Sequence, residues 1–248
     1  MTGAVAFPAH DGQPVDVLVF AAHPDDAELG CAGTILRQTD AGRRVAVVDA
    51  TRGEAGSRGT PETRAAEAAE ATALLGLCAR ENLGLPDTAI AVTDSSVCAV
   101  VRMLRRYRPR VLLTHAKPDV HPDHVSVADL VTKAYFLAGL RHFDASSGLD
   151  PHRPRLVARF LGNDAVPAGF CVDISALQDR KREIVSCFAS QIPATSEDRA
   201  HFVRGLDPIQ RVEARDRWFG MQSGVVAAEP FALDGPASLD ELAFLIPS

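Results

Sequence analysis

Three short apolar runs, each set between helical patterns, constrain the fold of this chain more than any other feature. The runs cover 15–20, 45–50 and 111–114, and each has the length of a buried strand. Helical patterns cover 29–41, 60–76 and 95–107, and another begins at His124. Strands that alternate with helices pair in parallel. We therefore predict a single α/β domain: a Rossmann-like, doubly wound, mostly parallel sheet with helices on both faces.

Weaker patterns complete this prediction. They indicate two more strands and two more helical segments, at 82–85, 170–174, 184–188 and 211–221. Trp218 and Phe219 are expected to pack the last helix against the protein. Residues 191–206 are expected to form a loop or lid. The domain is predicted to cover 15–248, after a lead-in of residues 1–14.

Composition excludes several classes of function. The net charge of −6 and the pI near 5.7 argue against a surface for nucleic acid. The five cysteines form no Cys-x-x-Cys pair, which is typical of reduced thiols in the cytoplasm. No Lys or Arg precedes Arg37, as a signal peptide would need, and no apolar run approaches the roughly 20 residues that span a bilayer. We expect a cytoplasmic protein without membrane or nucleic-acid partners.

One imidazole and two carboxylates follow the first predicted strand. His23 and Asp26 are three positions apart, close enough to reach one cation, and Pro24 restricts the backbone between them. Asp25 would then point towards a water on that cation. The alternative is that Asp25, Asp26 and Glu28 only cap a helix N-terminus, where anions are favoured. This stretch alone does not separate the two interpretations.

A second His-Pro-Asp segment follows the strand at 111–114 and favours the metal. It contains His121, Asp123 and His124, and an apolar helical stripe begins just after it. The carboxyl ends of parallel strands meet at one edge of a sheet, so helix capping explains two such segments poorly. Imidazole and carboxylate suit zinc, and three protein ligands with one open position describe a catalytic site.

The side chains left over suggest a reaction. If two histidines and one aspartate bind zinc, one aspartate and one histidine remain beside it. The metal lowers the pKa of its water and polarises a carbonyl oxygen. The free carboxylate can accept the water's proton, and the free histidine can stabilise an oxyanion or protonate a leaving nitrogen. These groups suffice for amide hydrolysis, although spacing alone does not tell which member of each pair is the ligand.

The two segments, Ala22-His-Pro-Asp-Asp26 and His121-Pro-Asp-His124, resemble the zinc-dependent N-acetylglucosaminide deacetylases of the PIG-L/LmbE family. Shorter stretches resemble the bacillithiol-pathway branch, which deacetylates N-acetylglucosaminyl-malate. They lie at 51–60, 81–85, 152–154, 172–174, 190–191 and 228–231, with Arg64 in addition. The resemblance runs from about residue 15 almost to the end of the chain.

This resemblance implies a role for each residue of the two segments. The metal ligands would be His23, Asp26 and His124, holding zinc, with ferrous iron as the alternative. Asp25 would be the general base, and His121 the general acid or oxyanion stabiliser. Asp123 would orient a neighbouring imidazole. The expected function is removal of the acetyl group from a small-molecule N-acetylglucosaminyl glycoside, by a chain that we expect to form a homo-oligomer.

Substrate contacts are expected from arginines, because the guanidinium fork suits a carboxylate. Arg64, Arg52 and Arg153 would hold hydroxyl or carboxylate groups of the substrate. Arg58 lies in the same loop as Arg52, between Arg52 and Arg64, so it is also expected beside the site. Val120 stands where the bacillithiol branch more often has arginine, which removes one cation from the rim. Two alternatives therefore stay open: a deacetylase of another N-acetylated sugar in natural-product biosynthesis, and a non-catalytic sugar- or nucleotide-binding protein on the same fold.

Overall fold

The computed structural model describes residues 6–193 and 207–237. Seven strands and six α-helices lie within these ranges. In chain order they are β1 (Val17–Ala21), α1 (Asp26–Asp40), β2 (Val45–Asp49), α2 (Pro61–Leu75), β3 (Ala79–Asn82), α3 (Asp94–Tyr107), β4 (Val111–His115), α4 (Pro122–Ala138), β5 (Leu156–Phe160), β6 (Phe170–Asp173), α5 (Gln178–Ser186), α6 (Pro208–Ser223) and β7 (Ala228–Leu233). Across these ranges no helix is long and apolar enough to cross a bilayer.

All seven strands form one sheet in the order β3-β2-β1-β4-β5-β7-β6. The first five strands of this order are parallel to one another, and β7 runs antiparallel between β5 and β6. The predicted fold class is therefore confirmed. β2 and β3 extend the sheet to one side of β1, whereas β4 and β5 extend it to the other side, so the strand order reverses between β1 and β4. Open α/β sheets bind ligands outside the carboxyl ends of the strands at such a point.

Side chains of β1 alternate between two apolar layers. Val17 and Val19 pack on the side of α1, whereas Leu18 and Phe20 pack on the side of α3 and α4. All five residues of the strand are buried, as expected when helices cover both faces of a parallel sheet. This burial fixes the register of β1 beside β4, where Phe20 lies next to Thr114. The segments that follow the two strands are thereby brought side by side.

Several element boundaries differ from the sequence prediction. α1 begins at Asp26, three residues earlier than expected, and the strand predicted at 82–85 lies at Ala79–Asn82. Neither β5 nor β7 was predicted as a strand.

Two further predictions concern α6 and the segment before it. Among the described residues Trp218 is 58% exposed, so its predicted packing is wrong, although Phe219 does contact a small apolar cluster. Most of the lid predicted at 191–206 lies outside the described residues, as do positions 1–5 of the lead-in.

The described part of the lead-in contacts the edge of the sheet. The backbone N–H of Arg80 donates to the carbonyl oxygen of Pro8 at 3.2 Å, and the Arg80 guanidinium lies 6.0 Å from the Phe7 ring. The ring of His10 lies 4.1 Å from that of Tyr107. These contacts place residues 7–10 along β3 and α3.

A buried ion triad ties the first turn of α1 to β2 and β3. Arg80 donates through Nη1 to Glu28 Oε1 at 2.6 Å, and through Nε and Nη2 to the two Asp49 oxygens at 2.8 and 3.0 Å. All three residues are at most 1% exposed. Burial raises the pKa of Glu28, and the nearby Arg80 charge opposes that rise. Glu28 therefore pairs with an arginine inside the protein.

Arg80→Met is expected to lower the free energy of unfolding by about 3–5 kcal/mol, because it leaves two buried carboxylates without their cation. Urea unfolding at neutral pH measures the loss. Arg102→Met is the matched control, since it removes an arginine that also makes two hydrogen bonds to one aspartate, Asp144, but is half exposed. Equal urea midpoints for the two variants would contradict a stabilising role for the triad.

Candidate active site

Loops that follow the parallel strands enclose a cleft of about 320 Å³ at the carboxyl edge of the sheet. His23 follows β1, Asp87 follows β3, His121 follows β4 and Asn163 follows β5, and all four line this cleft. The loop between β2 and α2 contributes 55–58. Both His-Pro-Asp segments thus reach the same cavity, as the sequence predicted.

The three predicted metal ligands lie together and are buried. Asp26 Oδ2 lies 3.1 Å from His23 Nδ1, and Asp26 Oδ1 lies 3.1 Å from His124 Nε2, so one carboxylate bridges two imidazoles. The ring centroids of His23 and His124 are 5.7 Å apart. Each of the three residues is at most 8% exposed. The geometry brings the predicted ligands together, and their metal-binding role stays a prediction.

The charges around these imidazoles favour a cation. Burial lowers the pKa of His23, but hydrogen bonds with Asp123, Asp26 and Asp87 outweigh it and raise the pKa to about 12. Burial likewise opposes protonation of His124, whereas Asp26 and Asp119 raise its pKa to about 9. Each imidazole therefore holds a proton against nearby carboxylates. A divalent cation would satisfy the same carboxylates in place of these protons, and the donor set of imidazole and carboxylate suits zinc or ferrous iron.

Possible ligand atoms form three overlapping groups within the described residues. One joins His23, His121 and His124; the second joins Asp26 and His124 with His115; the third joins His23 with Asp87 and Asp123. His115 was not predicted as a ligand. Its Nε2 accepts the Ala22 N–H at 3.0 Å and lies 3.5 Å from Asp26 Oδ2, so that nitrogen already has a donor. This bond favours His23 over His115 as the second imidazole ligand.

Carboxylate oxygens lie close to one ring nitrogen of each predicted imidazole ligand. Asp123 Oδ2 and Asp87 Oδ1 lie 3.3 and 3.2 Å from His23 Nε2. Asp119 Oδ1 lies 3.2 Å from His124 Nδ1. Metal-binding histidines usually have such a carboxylate on the ring nitrogen that does not bind the metal, where it fixes the ring's orientation. Asp123 was predicted to orient a neighbouring imidazole, and the structure places it against His23.

Asp25 has a strained backbone and faces the cleft. Its φ of 132° is rare for a residue other than glycine, and its side chain forms no capping hydrogen bond with the described part of α1. The alternative that Asp25 is only a helix cap is therefore not supported. Arg64 Nη2 lies 3.1 Å from Asp25 Oδ1 and donates to the Pro24 carbonyl oxygen at 2.6 Å. Burial raises the pKa of Asp25 to about 7, although Arg64 opposes the rise.

His121 presents one ring nitrogen to the cleft. It is the N-cap of α4, and its Nδ1 accepts the Asp123 N–H at 3.2 Å. In the neutral ring the proton therefore lies on Nε2, which is a donor. Burial, reinforced by His124 and His23, lowers the pKa of His121 and favours this neutral form. Its ring lies 4.8 Å from that of His23 and 4.7 Å from that of His124.

Several known proteins resemble this chain in sequence. The family model PIG-L, described as GlcNAc-PI de-N-acetylase, matches residues 18–135. The diacetylchitobiose deacetylase of Thermococcus kodakarensis is 30% identical over 193 residues, which cover 71% of this chain and 70% of that protein. The chain belongs to the PIG-L family. Another relative is the 1D-myo-inositol 2-acetamido-2-deoxy-alpha-D-glucopyranoside deacetylase of Nakamurella multipartita, 29% identical over 72% of this chain and 80% of that protein.

A solved structure shares the PIG-L architecture over almost the whole chain. The conserved protein TT1542 from Thermus thermophilus superposes with a TM-score of 0.81 at 38% sequence identity. The match covers 90% of this chain and 96% of that protein. The strands and helices beyond the 18–135 match therefore belong to the same architecture.

The three predicted substrate arginines of this PIG-L chain separate in the structure. Arg64 lines the cleft, whereas Arg52 is exposed and is not among the described residues that line it. Arg153 donates to the Phe136 carbonyl oxygen at 2.8 Å, near the C-terminal end of α4. His121 lies at the other end of that helix, about 22 Å from Phe136 at 1.5 Å per residue. Within one chain Arg153 therefore does not reach the cleft.

Asn163 and Arg211 line the cleft and were missed by the sequence prediction. Arg211 Nη1 donates to the Asn163 amide oxygen. Asn163 also binds both oxygens of Asp119, at 2.7 and 3.0 Å. Arg58 belongs to the glycine-rich loop whose arginines were expected beside the site, and it does line the cleft. Arg211 comes from α6, and nothing in the local sequence places that helix at this edge of the sheet.

Proposed function

We propose that this PIG-L chain, with its catalytic domain at 15–248, is a metal-dependent deacetylase of an N-acetylglucosaminyl glycoside. One observation carries the proposal: Asp25 and His121 line the same cleft as the buried cluster of His23, Asp26 and His124. The two relatives are named as deacetylases of compounds that contain N-acetylated glucosamine, which supports the reaction class.

The metal in this proposal is zinc, with ferrous iron as the alternative. His23, Asp26 and His124 would hold it, with Asp123 and Asp119 fixing the two rings. When bound, the ion supplies a Lewis acid that polarises the amide carbonyl and makes a water more acidic.

The remaining groups move protons. Asp25 accepts the proton of the attacking water, and the Arg64 guanidinium holds its carboxylate and the Pro24 carbonyl in place. The His121 Nε2–H donates to the oxyanion that forms on the amide carbonyl, and it can pass a proton to the leaving nitrogen. The strained backbone at Asp25 is consistent with a carboxylate oriented for chemistry at the expense of local stability.

For the substrate we propose a malate-like glycoside of N-acetylglucosamine, an intermediate of thiol-cofactor biosynthesis. The names of the two relatives share the N-acetylated glucosamine and differ in what it is joined to. Arg58 and Arg211 on the cleft wall support an anionic group at that position. Another N-acetylated sugar from natural-product biosynthesis is the alternative substrate.

Acetate release from a panel of substrates tests the proposed function. The metal-loaded protein is assayed on N-acetylglucosaminyl-malate, free N-acetylglucosamine and diacetylchitobiose. We expect acetate from at least one and the highest kcat/KM on the malate glycoside. Binding of these sugars without acetate release would instead support a non-catalytic sugar-binding protein. A higher kcat/KM on an uncharged glycoside would overturn the malate assignment alone.

Two arginine variants separate the reaction centre from the aglycone. Arg64→Ala is expected to lower kcat/KM equally on the malate glycoside and free N-acetylglucosamine, up to about 100-fold, because it releases Asp25. Arg211→Ala is expected to lower kcat/KM about 10-fold or more on the malate glycoside only, the loss of one charge-assisted hydrogen bond. Parallel Michaelis–Menten curves on both substrates measure these losses. A malate-specific loss in Arg64→Ala would mean that Arg64 binds the aglycone.

A further inference from the structure

The helix that carries the predicted metal-binding turn is broken in the middle. Cys31 has φ −151° and ψ 27°, so α1 consists of a first turn at 26–30 and a longer helix from 32 to 40. Asp26 lies in that first turn. A break of this kind leaves N–H groups of the longer helix and carbonyl groups of the first turn without their usual partners inside the helix.

Two buried side chains from the C-terminal part of the chain satisfy these groups. Glu229 on β7 accepts the N–H of Gly33 at 2.8 Å and that of Thr34 at 2.6 Å. Arg215 on α6 donates through Nη2 to the carbonyl oxygens of Leu29 at 2.8 Å and Gly30 at 3.3 Å. A carboxylate therefore caps the longer helix, and a guanidinium caps the first turn.

The two caps are joined by three further ion pairs. Lys181 Nζ lies 2.6 Å from both Glu229 Oε1 and Asp216 Oδ2, and Asp216 Oδ1 accepts from Arg215 Nη2 at 2.9 Å. Glu229, Lys181 and Asp216 are at most 4% exposed, and the Arg215 side chain is 13% exposed. We call these four residues the α1 clamp. Two cations alternate with two anions in it, so the buried charges balance.

Close packing leaves the break little room to shift. A Cβ atom at Gly30 would lie 2.4 Å from the Phe160 ring, and one at Gly33 would lie 2.5 Å from Ile174. The backbone on both sides of Cys31 is thus pressed against β5 and the segment after β6. The direction of the first turn is therefore set by contacts from several elements and not by the rest of α1.

We propose that the α1 clamp is a positioning device for the metal-binding turn: it holds the broken helix so that Asp26 meets His23 and His124. None of its four residues lines the cleft among the residues described, so it would act only through the backbone of α1. The proposal rests on the metal site of the proposed function. It also gives the region beyond the 18–135 family match a defined part in that site.

The affinity of the substrate-free protein for Zn²⁺ tests the positioning role of the α1 clamp. Glu229→Gln keeps the size of the side chain but removes the charge that caps Gly33 and Thr34. Arg215→Met removes the donor to Leu29 and Gly30 while Asp216 keeps Lys181. We expect both variants to bind Zn²⁺ about 10- to 100-fold more weakly, the range seen when a ligand loses its supporting partner. Competition with a zinc-binding dye measures the Kd on folded protein.

Two controls exclude a general loss of stability. Glu213→Gln breaks the ion pair with Arg182, which also joins α5 to α6. Within the described residues neither side chain forms a hydrogen bond or ion pair with α1. Leu104→Ala lowers the melting temperature from the core of the opposite sheet face. Both should keep the wild-type Kd. A wild-type Kd in both clamp variants would overturn the proposed role of the clamp. So would equally weak Zn²⁺ binding in Leu104→Ala, if its melting temperature falls as far as that of the clamp variants. A wild-type chain that binds no Zn²⁺ would overturn the metal site itself.

Discussion

Asp25→Asn is expected to lower kcat about 10²- to 10⁴-fold while the protein keeps its metal, because an amide cannot accept the water's proton. The change is nearly isosteric, so the strained backbone and the contact with Arg64 should survive. Asp25 is not one of the predicted ligands, and it faces the cleft beside them. The expected result is therefore a folded, metal-loaded and almost inactive protein.

Acetate release at saturating substrate, with metal content measured on the same sample, checks this expectation. Asp129→Asn is the control, because Asp129 is an exposed aspartate on α4 that pairs with Lys117 away from the cleft. It should behave as wild type. Near-normal turnover in Asp25→Asn at neutral pH would remove Asp25 as the general base, and loss of metal in the same variant would make it a ligand.

The second large effect is loss of the metal when either imidazole ligand is removed. His23→Ala and His124→Ala each leave two of the three predicted protein ligands. Their metal affinity should fall by more than the about 10- to 100-fold typical of losing a partner that only supports a ligand. Mass spectrometry of metals after dialysis against a weak chelator measures the occupancy. Acetate release should disappear with the metal.

Two further histidine variants make this test specific. His142→Ala changes an exposed histidine and should keep full occupancy. His115→Ala distinguishes the overlapping groups of possible ligands, because His115 lies with Asp26 and His124 in one of them. If His115→Ala loses the metal while His23→Ala keeps it, the predicted ligand set is wrong and His115 replaces His23.

Local patterns made a large part of this protein predictable. Short apolar runs between helical patterns indicate a parallel sheet, because a strand buried on both faces must be apolar throughout. Two His-Pro-Asp segments after such strands indicate one polar cleft, because parallel strands end at the same edge. The cleft and the predicted ligands depend on two short local patterns, at 22–26 and 121–124.

Features that depend on packing between distant parts of the chain were decided only by the tertiary structure. The substrate arginines show this most clearly: Arg64 reaches the site, whereas Arg153 lies at the far end of α4, and no local pattern tells which edge of the sheet a loop arginine faces. Asp87 reaches His23 only because β3 lies two strands from β1. The antiparallel β7 escaped prediction because its pairing with β5 and β6 depends on distant residues.

The sequence by itself therefore determined the fold class, the family and the residue types of the site. The fold class follows from short-range periodicity, which the backbone geometry of strands and helices imposes directly. The family follows from the resemblance of the two His-Pro-Asp segments, which also contain the residue types of the site. Only the tertiary structure decided the partners: Arg64 for Asp25, the carboxylates behind His23 and His124, and Glu229 with Arg215 at the break in α1. Apart from Asp119 and His124, these partners are distant in the chain, by as much as 196 residues for Glu229 and Gly33, and no local pattern specifies contacts at such distances. Burial of charge selects them, because each ionised group inside the protein requires an opposite charge or a hydrogen-bond partner.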